Sequence, residues 1–184
     1  MIEEHNYRGH RIEIIEDCDA ESPREWDNIG TMACWHRRYK LGDVQPQQRP
    51  QDYRATLPRD RVELPLYLYD HGGITMATQP FDCPWDSGQV GFIYASHTTL
   101  RLKLGIKRVT TKVKARAYRM LHNEVETYDA YLRGDVCGYS ITGPQCSDSC
   151  WGYYSCSEAL QDAKQAIDSC MPPASTEEED SRGE

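Results

Sequence analysis

The sequence predicts an α+β fold: a mostly antiparallel sheet with a long amphipathic helix and shorter helices packed on it. Three observations carry that expectation. Short runs with strand patterning recur between turn-forming residues. One helical period of more than twenty residues, opened by threonine and closed by glycine, follows them. Strands and helices come in separate runs rather than in regular alternation.

Taken in order, residues 7–16 alternate apolar and polar side chains and read as a half-buried strand. Residues 17–30 are acidic, hold Pro23 and Gly30, and read as a loop. A short strand over 31–36 continues into Arg37, Arg38 and Tyr39. Residues 42–60, rich in proline and glutamine, read as a long mobile loop. The next strand, 64–69, closes on the turn Asp70-His71-Gly72-Gly73, and Gly88 introduces the most hydrophobic strand, 89–95. Ser96 caps a short helix over 97–104 that Gly105 stops. Thr110 or Thr111 caps the long helix, which runs to about Arg133 and ends at Gly134. Its residues Val113, Ala117, Met120, Leu121, Val125, Tyr128, Tyr131 and Leu132 share one arc, with Lys112, Arg116 and Arg119 opposite. Two further strands, 136–142 and 150–154, precede a last amphipathic helix over 158–169. The expected organisation is one domain over 1–171 with a disordered acidic tail over 172–184.

Composition narrows the function classes. Mean hydropathy is −0.75 and 39% of residues are hydrophobic. No apolar run approaches the ~20 residues a membrane helix needs. The N-terminal residues Met1-Ile2-Glu3-Glu4-His5 have neither the basic nor the apolar region of a secretory signal, so a cytoplasmic protein is expected. The net charge of −8 is unevenly spread. Residues 97–119 hold eight bases and no acid, between two acidic stretches. Arg101, Lys103, Lys107, Arg108, Lys112, Lys114, Arg116 and Arg119 are therefore a candidate anion-binding block, or simply a solvated helix face.

Eight cysteines are present, and without an export signal thiols are the expected state. Cys146, Cys150 and Cys156 crowd together, with Cys137 or Cys170 as a possible fourth zinc ligand, but the spacing departs from the usual paired pattern. No particular cofactor is implied.

Four loops concentrate unusual residues. The first holds Trp26, Asp27 and Asn28, followed by His36 and Arg37; the second is Asp70-His71-Gly72-Gly73. The third holds Trp85, Asp86 and Ser87, and the fourth Asp148 and Trp151. Loops at strand ends build binding sites because a rigid sheet holds them while their tips stay exposed. A histidine beside an aspartate suits a general base or metal ligand, and a glycine pair lets backbone N–H groups approach an anion. Ser87 lacks the Gly-x-Ser-x-Gly elbow, which excludes a hydrolase nucleophile of that type. Walker A, Gly-x-Gly-x-x-Gly and His-Glu-x-x-His motifs are absent from the sequence. Glu124 falls inside the apolar arc of the long helix, so it is expected to be paired, protonated or at a pocket rim, with an arginine such as Arg37 or Arg38 as partner.

The segments Trp26-Asp27-Asn28-Ile29-Gly30-Thr31-Met32, Tyr69-Asp70-His71-Gly72-Gly73-Ile74-Thr75-Met76 and Cys83-Pro84-Trp85-Asp86-Ser87-Gly88-Gln89-Val90-Gly91 belong to a longer ordered set. His36-Arg37-Arg38-Tyr39-x-Leu41-Gly42-Asp43, residues 124–135 and Asp148-Ser149-Cys150-Trp151-Gly152 complete it. Together they resemble a family of small accessory proteins of bacteriophages, prophages and plasmids, some of them labelled antirestriction-like. The resemblance covers most of residues 20–155 and leaves out the Pro/Gln segment and the acidic tail. It implies a mobile-element protein acting in the cytoplasm of a bacterial host, and supplies no catalytic residues.

Three functions follow as expectations. The first is a non-catalytic inhibitor that binds a host defence or nucleic-acid-processing protein or nucleoprotein complex. The second is a small enzyme or nucleotide-binding protein that uses the Asp/His loops, with Arg37 and Arg38 on phosphate. The third is direct nucleic-acid binding through the basic block, for which salt sensitivity would be the signature.

Overall fold

The computed structural model describes residues 2–170, so the expected acidic tail lies outside the described residues. The fold is α+β, with two four-stranded antiparallel sheets and four helices. The sequence reading placed the strands in one sheet, whereas the structure has two. The described residues cluster into two compact units: a terminal unit of residues 2–18 with 136–170, and a central unit, Asp19–Asp135.

In the terminal unit, β1 (Ile2–Tyr7) and β2 (His10–Glu16) form a hairpin, joined by β7 (Cys137–Thr142) and β8 (Asp148–Tyr153) in the order β1-β2-β7-β8. The sequence reading ran one strand through the turn. Arg8 (φ 48°) and Gly9 (φ 76°) both take left-handed backbone, the requirement of a two-residue turn that matches strand twist. Helix α4 (Cys156–Cys170) packs on β2, β7 and β8. Ala159, Ala163 and Ile167 pack into Ile12, Ile14, Tyr139 and Ile141.

The central unit has the order β3-β6-β4-β5, where β3 is Thr31–Cys34, β4 is Arg61–Asp70, β5 is Ile74–Ala77 and β6 is Ser87–Ser96. On one face lie α2 (His97–Leu104) and α3 (Thr111–Arg133). Their caps match the sequence reading: Ser96 Oγ accepts from Thr99 N at 3.0 Å, and Gly105 and Gly134 take left-handed conformations. The α3 residues Ala117, Leu121, Val125 and Tyr128 are buried against Leu66, Leu68 and Ile93, while Lys112, Arg116 and Arg119 are exposed.

The other face of β6 is covered too. Residues 42–60, read as an irregular loop, contain α1 (Pro50–Thr56), whose Pro50 occupies the first turn. Tyr53 of α1 and Trp35 pack on Phe92 at ring separations of 6.3 and 5.7 Å, and the Arg54 guanidinium lies 4.5 Å above the Phe92 ring. Trp35 Nε1 donates to Gln48 O at 2.7 Å, and the bridge between Ala33 and Val44 extends the sheet edge. Burial on both faces is why β6 reads as a continuous apolar run rather than an alternating one.

Close approach of β3 to β6 depends on Gly91. A β-carbon there would lie 2.1 Å from Ala33 O, whereas one at Gly88 meets open space. Gly91→Ala should therefore cost about 3 kcal/mol in urea unfolding, and Gly88→Ala less than about 0.5 kcal/mol. Equal losses would contradict the register.

Candidate functional site

Antiparallel pairing brings three segments to one end of the central sheet. Tyr69 near the end of β4 pairs with Ser87 at the start of β6, and Cys34 at the end of β3 pairs with Gly91. The chain leaving β3, the β4–β5 turn and the β5–β6 loop therefore meet. His36, Arg38, Asp70, Trp85, Asp86 and Ser87 are among the residues lining a cleft of about 340 Å³. A neighbouring cleft of about 370 Å³ shares His36 and is lined by Trp35, Arg37 and Gln45.

Within this site Asp70 and Asp86 are both paired. Arg38 Nη2 donates to Asp70 Oδ2, and Tyr39 OH to the other oxygen of the same carboxylate at 3.5 Å. His71 Nδ1 sits 3.1 Å from Asp86 Oδ2. The His36 ring stacks on Tyr39 (5.0 Å, 4°), and its Nδ1 accepts the Tyr39 N–H at 3.1 Å. Ser87 Oγ donates to Cys83 O at 2.5 Å, so its proton goes to a backbone carbonyl rather than to a base. Gly72, at φ 73°, and Gly73 make the turn, where His71 N donates to Gly73 O at 3.1 Å. Above the cleft Trp85 is 92% exposed. A single large apolar side chain in that position is a candidate anchor for a partner, because its burial would release more water than any other group nearby.

The remaining candidates lie elsewhere. Trp26 and Asn28 precede β3, at the opposite end of that strand, and line a smaller cleft of about 260 Å³ with Met120 and Glu124. Asp27 pairs with Lys103. Asp148 and Trp151 belong to β8 of the terminal unit, where Trp151 covers Gly138. Within the central unit, Trp26 and Asn28 thus lie apart from the cleft that Asp70, Trp85 and Asp86 share with His36. Arg101, Lys107, Arg108 and Lys114 are exposed along α2, α3 and their connection. Cys146, Cys150 and Cys156 do not converge: Cys146 faces Cys170, and Cys156 faces Cys137. Among the described residues, no group of three or more His, Cys, Asp and Glu side chains could hold a metal ion.

Glu124 is paired, but with Arg24 rather than with Arg37 or Arg38. Arg24 Nη1 donates to Glu124 Oε2 at 3.0 Å, and its Nη2 and Nε hold Asp43 at 2.7 and 2.9 Å. Arg24 Nη2 also donates to Gly30 O at 2.8 Å. Glu124 Oε1 accepts from Ile29 N at 2.8 Å, and Asp43 Oδ2 accepts from Met32 N at 2.6 Å. The side chains of Arg24 and Glu124 are 6% and 13% exposed. Burial opposes the Arg24 charge, yet the bonds and charges of Asp43 and Glu124 outweigh it and raise its pKa. Gly30 leaves room for this arrangement, because a β-carbon there would lie 2.8 Å from Glu124 Oε2 and 2.5 Å from Leu121.

Sequence reasoning missed Arg24 and Asp43, although both lie in segments that it singled out. It also missed a cleft of about 320 Å³ between β5 and α3, where Thr78 Oγ1 meets His122 Nδ1 at 2.9 Å and Asp129 accepts from Met76 N at 2.7 Å. Burial raises the Asp129 carboxyl above its ordinary range.

No protein-family model matches the chain, and no curated protein or solved structure gives a significant match.

Two expectations follow. Arg24→Met leaves two largely buried carboxylates facing each other and should cost about 3–5 kcal/mol. Adding Asp43→Asn and Glu124→Gln should recover most of that loss, and a single variant as stable as wild type would contradict the network. The second concerns Cys34, which burial, then the Asp43 charge, pushes from 9.0 up to about 12. The unfolded chain releases this proton first, so the stabilisation is complete below pH 9 and is lost as pH rises toward about 12. Urea melts on either side of pH 9 should show a smaller alkaline loss in Cys34→Ala than in wild type; equal losses would contradict this assignment.

Proposed function

We propose that the chain is a non-catalytic binding protein with which a mobile element engages and interferes with a host defence or nucleic-acid-processing protein. The docking face is the end of the central sheet that carries Trp85. The observation behind this reading is the exposure of Trp85 above a polar cleft whose Asp70 and Asp86 each have a positively charged or histidine partner. An aromatic anchor surrounded by polar groups that exclude water on contact is the arrangement of an interface hot spot. The resemblance to phage and plasmid accessory proteins supports the choice of partner class. The negative net charge supports a partner whose own surface is basic, as a phosphate-binding surface is.

Trp85→Ala tests the proposal. It should leave the unfolding midpoint unchanged and weaken capture of the host protein from nuclease-treated lysate by roughly 30-fold, the equivalent of about 2 kcal/mol. Undiminished capture by the variant would sink it.

The His71–Asp86 contact beside Arg38 favours a second reading, a small enzyme or nucleotide-binding protein. A thermal-shift screen with nucleotides and divalent ions, with and without chelator, decides between the two. A shift that His71→Ala removes would support the second reading, because a ligand that prefers the native state raises its melting point. No shift with any of them would remove it.

A further inference from the structure

Six of the eight cysteines fall in the terminal unit, and four of them sit in two facing pairs. Cys146, in the β7–β8 connection, and Cys170, the last residue of α4, bring their sulfurs to 2.8 Å. Cys137, the first residue of β7, donates its thiol to Tyr153 O at 3.7 Å, and the nearby thiol of Cys156, the first residue of α4, helps burial to raise its pKa. One pair thus joins each end of α4 to the sheet segment beside it. Cys150 lies apart, with its sulfur 4.0 Å from Trp151 O. Cys146 and Cys137 are buried, whereas Cys170 and Cys156 are exposed, so each pair has one sulfur open to a reagent and one sheltered behind it. Side chains already aimed at each other meet the main requirement for bridging without backbone movement. A unit with so small a core is also one in which a covalent staple contributes most.

We propose that Cys146–Cys170 and Cys137–Cys156 are two disulfide-forming sites that a small-molecule disulfide such as glutathione disulfide oxidises, fastening α4 to its sheet at both ends. In each pair the thiolate of the exposed cysteine attacks glutathione disulfide. Its S–S bond breaks, a mixed disulfide forms, and one glutathione leaves as thiolate, taking up the proton that the attacking thiol lost. The buried thiol then gives up its proton and attacks the protein sulfur of the mixed disulfide, and the second glutathione leaves and is protonated. Two protein thiols are oxidised to one disulfide, and one glutathione disulfide is reduced to two thiols. The hydrogen bond to Cys170, then burial, pushes Cys146 up to about 11, and burial pushes Cys137 up to about 12.

Reduced full-length protein is incubated with glutathione disulfide, its free thiols are counted in denaturant, and its non-reduced peptides are mapped. Four of the eight thiols should be lost, with peptides joined as 146–170 and 137–156. Retention of all eight thiols, stable glutathione adducts alone, or links through Cys18 or Cys150 would overturn the assignment. The oxidised protein should melt roughly 10 °C higher, and dithiothreitol should reverse the gain; an unchanged midpoint with both links formed would overturn the fastening of α4. Cys170→Ser should leave Cys146 titratable while the 137–156 link still forms, and loss of that link as well would show that the pairs are not two separate sites.

Discussion

The guanidinium of Arg24, held between the carboxylates of Asp43 and Glu124, is the constraint on which the central unit depends. An arginine so little exposed is tolerated only because both carboxylates answer its charge and each also accepts a backbone N–H. Through those bonds one side chain fixes four segments: the turn at Pro23–Glu25, the start of β3, the return at Asp43 and the middle of α3. Glycine at position 30 is part of the same constraint, since the backbone must come close enough for Glu124 to reach it.

That network sets the position of β3, and β3 in turn delivers the residues of the cleft at the end of the central sheet. Leaving Cys34, the chain places Trp35 on Phe92, where Tyr53 and Arg54 of α1 also pack. Arg38 then reaches Asp70, and Asp70 N bonds Asp86 O at 2.9 Å across the neighbouring strands. The cleft is thus assembled from three strand ends whose register is fixed by backbone pairing.

What was legible in the sequence was what local patterning encodes. Helices α2 and α3 announce themselves by Ser96, Thr110, Gly105 and Gly134 and by a broad apolar arc, and the structure keeps each of these features. The hairpin over 2–16 was not legible as such, because Arg8 is not a residue that favours positive φ and only Gly9 marks the turn. Helix α1 was hidden by the proline and glutamine around it, although Pro50 stands where a helix begins. The two sheets were invisible because β2 pairs with β7 across more than a hundred residues. The site followed the same rule: Glu124 stood out as a carboxylate on an apolar face, but its partner lies 100 positions away. His71 and Asp86 were legible as chemistry, and their contact belongs to the register of β4 against β6.

Site-specific photo-crosslinking in a bacterial host tests the docking face most directly. A photoreactive amino acid is placed at position 85 and, in separate chains, at Lys112 on the basic face of α3 and at Trp151 on β8. The expected result is one host-protein adduct from position 85 and none of that mass from 112 or 151. Adducts from Lys112 with position 85 silent would contradict the assignment and move the binding surface to the basic block.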